Sequence, residues 1–462
     1  TQGYSSAASD VYKRQEWVKM TCGNVSFSII LLQLTSPIKG TDSGIINSII
    51  KTAVVPPVLL AVAAVLCYLF IVRGMYALED LPVKKIPRWS KICIEVVMVV
   101  FFLHTVQVQG TEIGMWDYIQ SVRESSDFYE KEYVNPAKVK MTFPKEKKNL
   151  IYIFMESMES SYADKEDGGT MDDNYIPNLT KLARENVQFT DKKDGKVGGP
   201  VCLEATAYTA GGLVAQTSAI NLKVMNSGAV SDSFLPNLTA LGDILNKQGY
   251  NQMFLCGSDG DFAGRDAYFK THKDYQIEDY KAAIKEGDIP KDYKVYWGHE
   301  DKVLYERAKK NLKKLSKEGK PFNLTMLTVD THFPNGYICD LCENKYDTTY
   351  GNAVACADRQ VYDFVQWIKK QDFYEDTTII IAGDHTSMVD TGSKFWKSLS
   401  NDYQRTVYNA IINPQCAYKK KVTTKRKFST MDMFPTTLAA LGVEIDGNKL
   451  CLLYTSPSPR DS

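Results

Sequence analysis

The sequence predicts an α/β domain with a mainly parallel central sheet covered on both faces by helices and preceded by transmembrane helices. Three observations predict it. Beyond Lys148, apolar runs of strand length alternate with helical stretches, the pattern left by strands joined through helical crossovers. Ahead of that region lies a long uncharged apolar run. Acidic and imidazole side chains recur directly behind the apolar runs, on the carboxyl edge where such sheets gather ligands.

The chain has 462 residues, too many for one ordinary domain. Lys+Arg and Asp+Glu balance at 55 each, so no basic field speaks for a nucleic acid partner. Both ends look foreign. Ser5 to Gln15 (SSAASDVYKRQ) and Cys451 to Ser462 (CLLYTSPSPRDS) resemble translated sequencing-library adapters. Residues 1–15 and 451–462 are therefore set aside as artefacts.

The first natural element is the membrane anchor, residues 16–110. Residues 53–72 (AVVPPVLLAVAAVLCYLFIV) carry no charge, and a helix of that length covers roughly 30 Å, a hydrocarbon core. Pro56 and Pro57 stand near its start, where a missing N–H costs least. Residues 92–108 form a weaker second span with Glu95 and His104 inside it. Between the spans, Arg73, Lys84, Lys85, Arg88 and Lys91 outnumber Glu79 and Asp80, which puts that connection in the cytoplasm and the chain after Val108 outside. Val25 to Leu34 is too short to span. Six cysteines then belong to the outer domain: Cys202, Cys256, Cys339, Cys342, Cys356 and Cys416. Cys339-x-x-Cys342 has no second pair at ligand spacing, which favours a disulfide over a zinc site.

A charged connector occupies residues 111–148, and the outer domain runs over 149–450. In order, it opens on a strand at Asn149 to Met155. A helix follows at Pro177 to Asn186, and another begins at Thr209. The spacing predicts an amphipathic helix over Leu235 to Gln248, stopped by Gly249, and then a strand at Gln252 to Cys256. A charged surface helix covers Asp301 to Lys317. A strand at Phe322 to Val329, a helix at Val354 to Lys370 and a strand at Thr377 to Ala382 complete the series. Glu156, then Asp330 and His332, then Asp384 and His385 stand just behind three of these strands.

Glu156, Asp384 and His385 are the oxygen and nitrogen donors that Mn²⁺, Mg²⁺ or Zn²⁺ take. Singly, a strand-end Glu also serves as a charge partner of a helix N-terminus, and an Asp as a cap. Thr209 opens a helix whose N-terminal N–H groups and dipole suit a phosphate, and a metal can make such a hydroxyl a nucleophile. An ordinary capping Thr reads the same, and Thr206 and Ser218 are rivals. Arg265 can pair with a phosphate through its fork. His332 can protonate a leaving alkoxide or hold phosphoryl oxygens. His272 and His299 have no constellation around them and read as structural.

The order NLIYIFMES, a Thr at a helix start before GGLVAQ, GSDxxFAGR, DTHFP and IIIAGDHT resembles the lipoteichoic acid synthase and phosphoglycerol transferase families of the alkaline phosphatase and sulfatase superfamily. The resemblance runs from about Asn149 to Leu450. It implies an alkaline-phosphatase-like sandwich, with Glu156, Thr209, Asp384 and His385 as the metal site. It also implies Thr209 as nucleophile and Arg265 and His332 as binders of the substrate's phosphate. The implied cofactor is a divalent ion, Mn²⁺ ahead of Mg²⁺ or Zn²⁺. The implied partners are a lipid bilayer, a phosphatidylglycerol donor and a glycan or polymer acceptor, at a bacterial cell membrane. Cys256 and Ala263 stand where lipoteichoic acid synthases carry a His and a Trp, and FAGR is closer to glucan-modifying phosphoglycerol transferases. No C/S-x-P-x-R motif for a formylglycine is present, which disfavours sulfate ester hydrolysis. The same machinery would serve a phosphoethanolamine transferase or a phosphodiesterase, and a non-catalytic envelope binding module is the alternative from another class.

Overall fold

The computed structural model describes residues 88–112, 114–123 and 133–446, the last with gaps at 194, 223–232, 390, 401 and 417–422, together with Leu59 and Val62. Residues 41–125 fall in one compact unit and residues 126–462 in another. The first holds α1 (Arg88–Glu112) and α2 (Met115–Arg123). Gly114, at φ 68°, turns the chain between them with its N–H on the Thr111 carbonyl, a conformation glycine adopts without a Cβ penalty. Of the two expected spans, 53–72 lies outside the described residues but for Leu59 and Val62. The other, 92–108, falls within α1, several of whose side chains also lie outside them. No helix made up wholly of described residues is long and apolar enough to cross a membrane.

In the second unit the strands are β1 (Met141–Thr142), β2 (Asn149–Met155), β3 (Asn251–Cys256), β4 (Gln276–Glu278), β5 (Phe322–Leu327), β6 (Thr377–Gly383), β7 (Asn409–Ile412) and β8 (Glu444–Ile445). The helices are α3 (Pro177–Glu185), α4 (Thr209–Ser218), α5 (Leu241–Lys247), α6 (Arg265–Thr271), α7 (Tyr280–Glu286), α8 (Asp301–Leu315), α9 (Thr349–Ile368) and α10 (Met433–Ala440). Six strands make one sheet in the order β4-β3-β5-β2-β6-β7, parallel except for β7 against β6. β1 and β8 pair antiparallel in a separate ribbon.

Alternation along β2 explains the two layers around this sheet. Ile151, Ile153 and Met155 share one buried cluster with Leu179 and Leu182 of α3, Leu304 and Leu312 of α8, and Val361 and Phe364 of α9. Tyr152 and Phe154 point the other way. Their rings stack at 4.2 Å, and the Tyr152 hydroxyl donates to Gln216 of α4 at 3.0 Å. Burying each large apolar side chain contributes about 1.5–3 kcal/mol. Covering both faces is what lets the central strands read as unbroken apolar runs. The chain leaves β2 toward β3 on one side and reaches β6 on the other. The carboxyl ends of β2 and β6 therefore border the crevice that an open doubly wound sheet offers to ligands.

The expected helix over 235–248 is shorter. Leu235 takes φ 52° ahead of Pro236, and the helix begins only at Leu241, where the Asp243 carboxylate accepts the Ala240 N–H at 2.8 Å. The sequence pattern predicts neither of the edge strands β4 and β7. Each is short, and β7 sits in a stretch with no alternation.

Candidate active site

Glu156 is the residue after β2, and Asp384 and His385 follow β6. In-register parallel pairing of Met155 with Gly383 sets their backbones side by side, and the Asp384 N–H donates to the Met155 carbonyl at 3.2 Å. Ser157 turns the chain sharply at φ 51°. That left-handed turn aims its N–H at Asp384 Oδ1, 2.8 Å away, while the His385 N–H reaches the same oxygen at 2.7 Å. Asp384 Oδ2 is left buried with no hydrogen-bond partner. Glu156 Oε1 accepts from the Ser157 hydroxyl at 2.8 Å. His385 Nδ1 lies 2.9 Å from the Thr386 carbonyl. That bond places the Nδ1 proton and turns Nε2 toward the carboxylates, 3.4 Å from Glu156 Oε1 and 3.5 Å from Asp384 Oδ2.

Thr209 completes the group from the opposite side. It is the first residue of α4, and the capping position before it belongs to Tyr208, which makes no side-chain cap. The Thr209 hydroxyl is thus free of capping duty. It lies 3.2 Å from Glu156 Oε2 and 3.4 Å from His385 Nε2. Two glycines permit that approach. A Cβ on Gly212 would sit 2.2 Å from the Asp384 carbonyl, and one on Gly383 would sit 1.9 Å from that of Met158. The rival hydroxyls are engaged elsewhere. Thr206 donates to the Leu203 carbonyl at 3.0 Å and accepts from Thr430 at 3.1 Å. Ser218 is buried against the Tyr268 hydroxyl.

The electrostatics of the cluster call for positive charge. Burial raises Asp384, and the neighbouring Glu156 carboxylate adds to it, to about 8. Burial works against charge on Glu156 too, but His385 outweighs it and holds Glu156 down at about 2. Burial opposes the His385 imidazolium, yet Asp384 and Glu156 raise it to about 10. Two buried carboxylates call for positive charge, and without another source a proton on His385 supplies it. A divalent ion answers the same demand. The donor atoms of Glu156, Asp384 and His385 all lie within 4.8 Å of one another, and Asp384 Oδ2, which accepts no hydrogen bond, lies 3.5 Å from His385 Nε2. An O,O,N set with an oriented imidazole fits a divalent metal.

The phosphate-binding candidates are placed less directly. Arg265 opens α6 after Gly264, and its guanidinium is buried. Its Nε donates to the Phe262 carbonyl at 3.0 Å and its Nη2 to that of Asp259 at 2.7 Å. His332 follows β5 and bonds through Nδ1 to the Phe333 carbonyl at 2.8 Å. Burial pulls its pKa below the usual histidine value, opposed by Glu156 and assisted by His385 and Arg265. These two residues therefore share an electrostatic neighbourhood with the cluster, although neither hydrogen-bonds to it. His272 pairs with Asp243 at 2.8 Å, and His299 is buried against Gly257.

Several residues near the site had no local sequence signal. Trp297 packs its ring 4.8 Å from His332 and 5.3 Å from Phe262. An aromatic thus stands beside the Arg265 loop although Ala263 occupies the expected place. Glu159, fully buried, accepts the Ser387 N–H at 2.7 Å and binds Arg405, which in turn donates to the Ser387 carbonyl. This ties the turn after β2 to the loop that carries His385.

A model of the Sulfatase family matches residues 148–443. Phosphoglycerol transferase I of Salmonella choleraesuis (strain SC-B67) is 32% identical over 322 residues, which is 67% of this chain and 39% of that protein. The chain thus spans about two fifths of the length of the curated relatives it matches. Among solved structures, a lipoteichoic acid synthase from Listeria monocytogenes superposes with a TM-score of 0.53 at 18% identity, covering 68% of this chain and 78% of that one. A lipooligosaccharide phosphoethanolamine transferase from Neisseria meningitidis gives a TM-score of 0.53 at 15% identity, covering 94% of this chain and 83% of that one. At such identities these two structures attest the fold alone.

Proposed function

The chain belongs to the sulfatase family of the alkaline phosphatase superfamily, and from that premise we propose that it is a membrane-anchored phosphoglycerol transferase with Thr209 as its nucleophile. The observation that carries the reading is the Thr209 hydroxyl, 3.2 Å from Glu156 and 3.4 Å from His385 at the mouth of a buried O,O,N cluster. The choice of phosphoglycerol rests on the 32% identity to the Salmonella enzyme.

In this reading Glu156, Asp384, His385 and Thr209 would hold a divalent ion, Mn²⁺ ahead of Mg²⁺ or Zn²⁺. When bound, its charge would acidify the hydroxyl and offset charge on the phosphoryl oxygens. Thr209 Oγ1 gives up its proton to solvent and forms a bond to the phosphorus of phosphatidylglycerol. The bond from phosphorus to the diacylglycerol oxygen breaks, and that oxygen takes a proton from His332 in its charged form. A glycerophospho-threonine remains. His332, now neutral, then accepts the proton of an acceptor hydroxyl on an extracytoplasmic glycan or teichoic acid, and attack by that oxygen on phosphorus breaks the bond to Thr209 Oγ1, which regains a proton from solvent. The lowered His332 pKa suits this second half, because it favours the neutral ring. The N–H groups of Arg265 not bound to Phe262 and Asp259 hold the phosphate. The run at 53–72 keeps the site at the bilayer that supplies the donor.

The test is diacylglycerol release from vesicles of phosphatidylglycerol or of phosphatidylethanolamine, with Mn²⁺ or with chelator. The expected result is metal-dependent release from phosphatidylglycerol by the wild type, falling at least about a thousandfold in Thr209→Ala, the scale on which loss of an activated nucleophile acts. Release from phosphatidylethanolamine alone would transfer the reading to the other head group. Full activity in Thr209→Ala would overturn it.

A further inference from the structure

A second convergence of ligand-type side chains lies outside the cluster at the sheet edge. Cys339 and Cys342 sit on the irregular segment between His332 and α9, and Cys356 projects from α9 itself. Cys339 Sγ is 3.6 Å from Cys342 Sγ and 3.9 Å from Cys356 Sγ, and the three sulfurs lie within 4.8 Å of one another. All three are free thiols. The spacing discriminates between the two fates open to clustered cysteines. A disulfide brings two sulfurs to about 2.05 Å and leaves the third with nothing to bind. Tetrahedral thiolates at about 2.3 Å from zinc stand roughly 3.8 Å apart, between the two distances seen here.

The surroundings hold the sulfurs together and supply a donor to them. The Cys342 N–H donates to the Cys339 carbonyl at 3.1 Å and closes the Cys-x-x-Cys turn. Gln360, one helical turn beyond Cys356 and 7% exposed, sends Nε2 to within 3.5 Å of the Cys356 sulfur and 4.0 Å of that of Cys339. Its Oε1 is buried with no hydrogen-bond partner. Turning that amide over would offer an oxygen to the centre of the three sulfurs in place of the nitrogen, and amide orientation is set by whatever occupies the site.

We propose that Cys339, Cys342 and Cys356 form a three-thiolate site for a zinc-class divalent ion, with Gln360 or solvent in the fourth position. Binding expels the thiol protons to solvent and leaves three metal–sulfur bonds, so no oxidant is required. The ion staples the segment after His332 to α9, adding to the bonds of Arg359 to Glu343 and the Leu341 carbonyl and the hydrogen bonds of Asn352 to residues 344–346. The sequence favours a disulfide because an outside location permits one and no second cysteine pair at ligand spacing follows Cys339-x-x-Cys342. The third thiol arrives from a helix 14 residues further on.

The test uses the full chain, reduced, desalted without air and titrated with Co²⁺ alone. Cobalt held by sulfur gives a thiolate-to-metal charge-transfer band in the near ultraviolet, which oxygen and nitrogen ligands do not. The expected result is a band that saturates at one equivalent, is lost in Cys356→Ser, falls by at least half in Cys342→Ser and persists in Asp384→Asn. Cys342 is only half-buried, so its variant reports on the site even where Cys356→Ser perturbs α9. Absence of the band from reduced wild type, or its survival in both serine variants, overturns the proposal. So does isolation of the chain from cells with two of these cysteines joined. The outcome is independent of the transfer reading, since neither Thr209 nor the Glu156 cluster enters it.

Discussion

Behind the site, Asp301 and Asp330 are fully buried and packed on one another. Asp301 accepts the N–H groups of Val329 and Asp330, at 2.7 and 3.2 Å, while Asp330 accepts the Asp301 N–H at 3.2 Å and keeps Oδ2 unpartnered. Burial, reinforced by the Asp301 charge, drives the Asp330 carboxyl well above its ordinary value. Its proton therefore stays on in the folded chain where the unfolded chain, near 3.9, has already released it. The folded state then binds more protons, so stability is full at low pH and falls as pH rises above about 4. Asp330→Asn mimics the protonated form. Urea unfolding at pH 4.5 and 7.5 should show the variant gaining on wild type at the higher pH by at least about 1.4 kcal/mol, one pKa unit's worth. Parallel profiles would contradict it. At this scale some residues were legible and others not. Glu156 and Asp384-His385 announce themselves because each directly follows an apolar strand. Trp297, Arg405 and Cys356 do not, because each reaches its partners through a long loop or a helix face that no local pattern encodes.

At the scale of elements, the close contact of α4 with the end of β6 sets the distance from hydroxyl to carboxylate. Gly212 lies directly on the Asp384 carbonyl, and no flexible side chain there can yield. Gly212→Ala must push the helix away or bend the strand end. It should cost about 1–3 kcal/mol of stability, the usual toll of overpacking. The larger effect should fall on Mn²⁺ binding, weaker by at least about tenfold, since displaced supports of a metal site act on that scale. Calorimetric titration of the variant against wild type checks this. Unchanged affinity with lowered stability would mean that α4 does not set the site. The strands β2, β3, β5 and β6 and the helices α8 and α9 were readable because burial on both faces makes runs, and burial on one face makes stripes. The shortened α5 and the missed β7 were not. A left-handed Leu235 and an antiparallel edge are decided by tertiary neighbours rather than by period.

For the whole molecule, a six-stranded sheet brings residues from distant parts of the chain, Glu156, Thr209, Asp384 and His385, to one edge. The topology that splits β6 from β5 across β2 opens the crevice they line. The gathering of Glu156, Asp384 and His385 at one sheet edge was legible from the alternation of elements, whereas Thr209 entered through its place at a helix start and through the resemblance. The donor and acceptor were not, because they depend on surfaces beyond the sheet edge. The most direct test of the central claim is the intact mass of the full chain after incubation with phosphatidylglycerol and Mn²⁺, beside Thr209→Ala. The account predicts one added glycerophosphoryl group on the wild type, mapped to Thr209 and absent from the variant. Lipid consumed with no adduct on the wild type, or an equal adduct on both proteins, would contradict it.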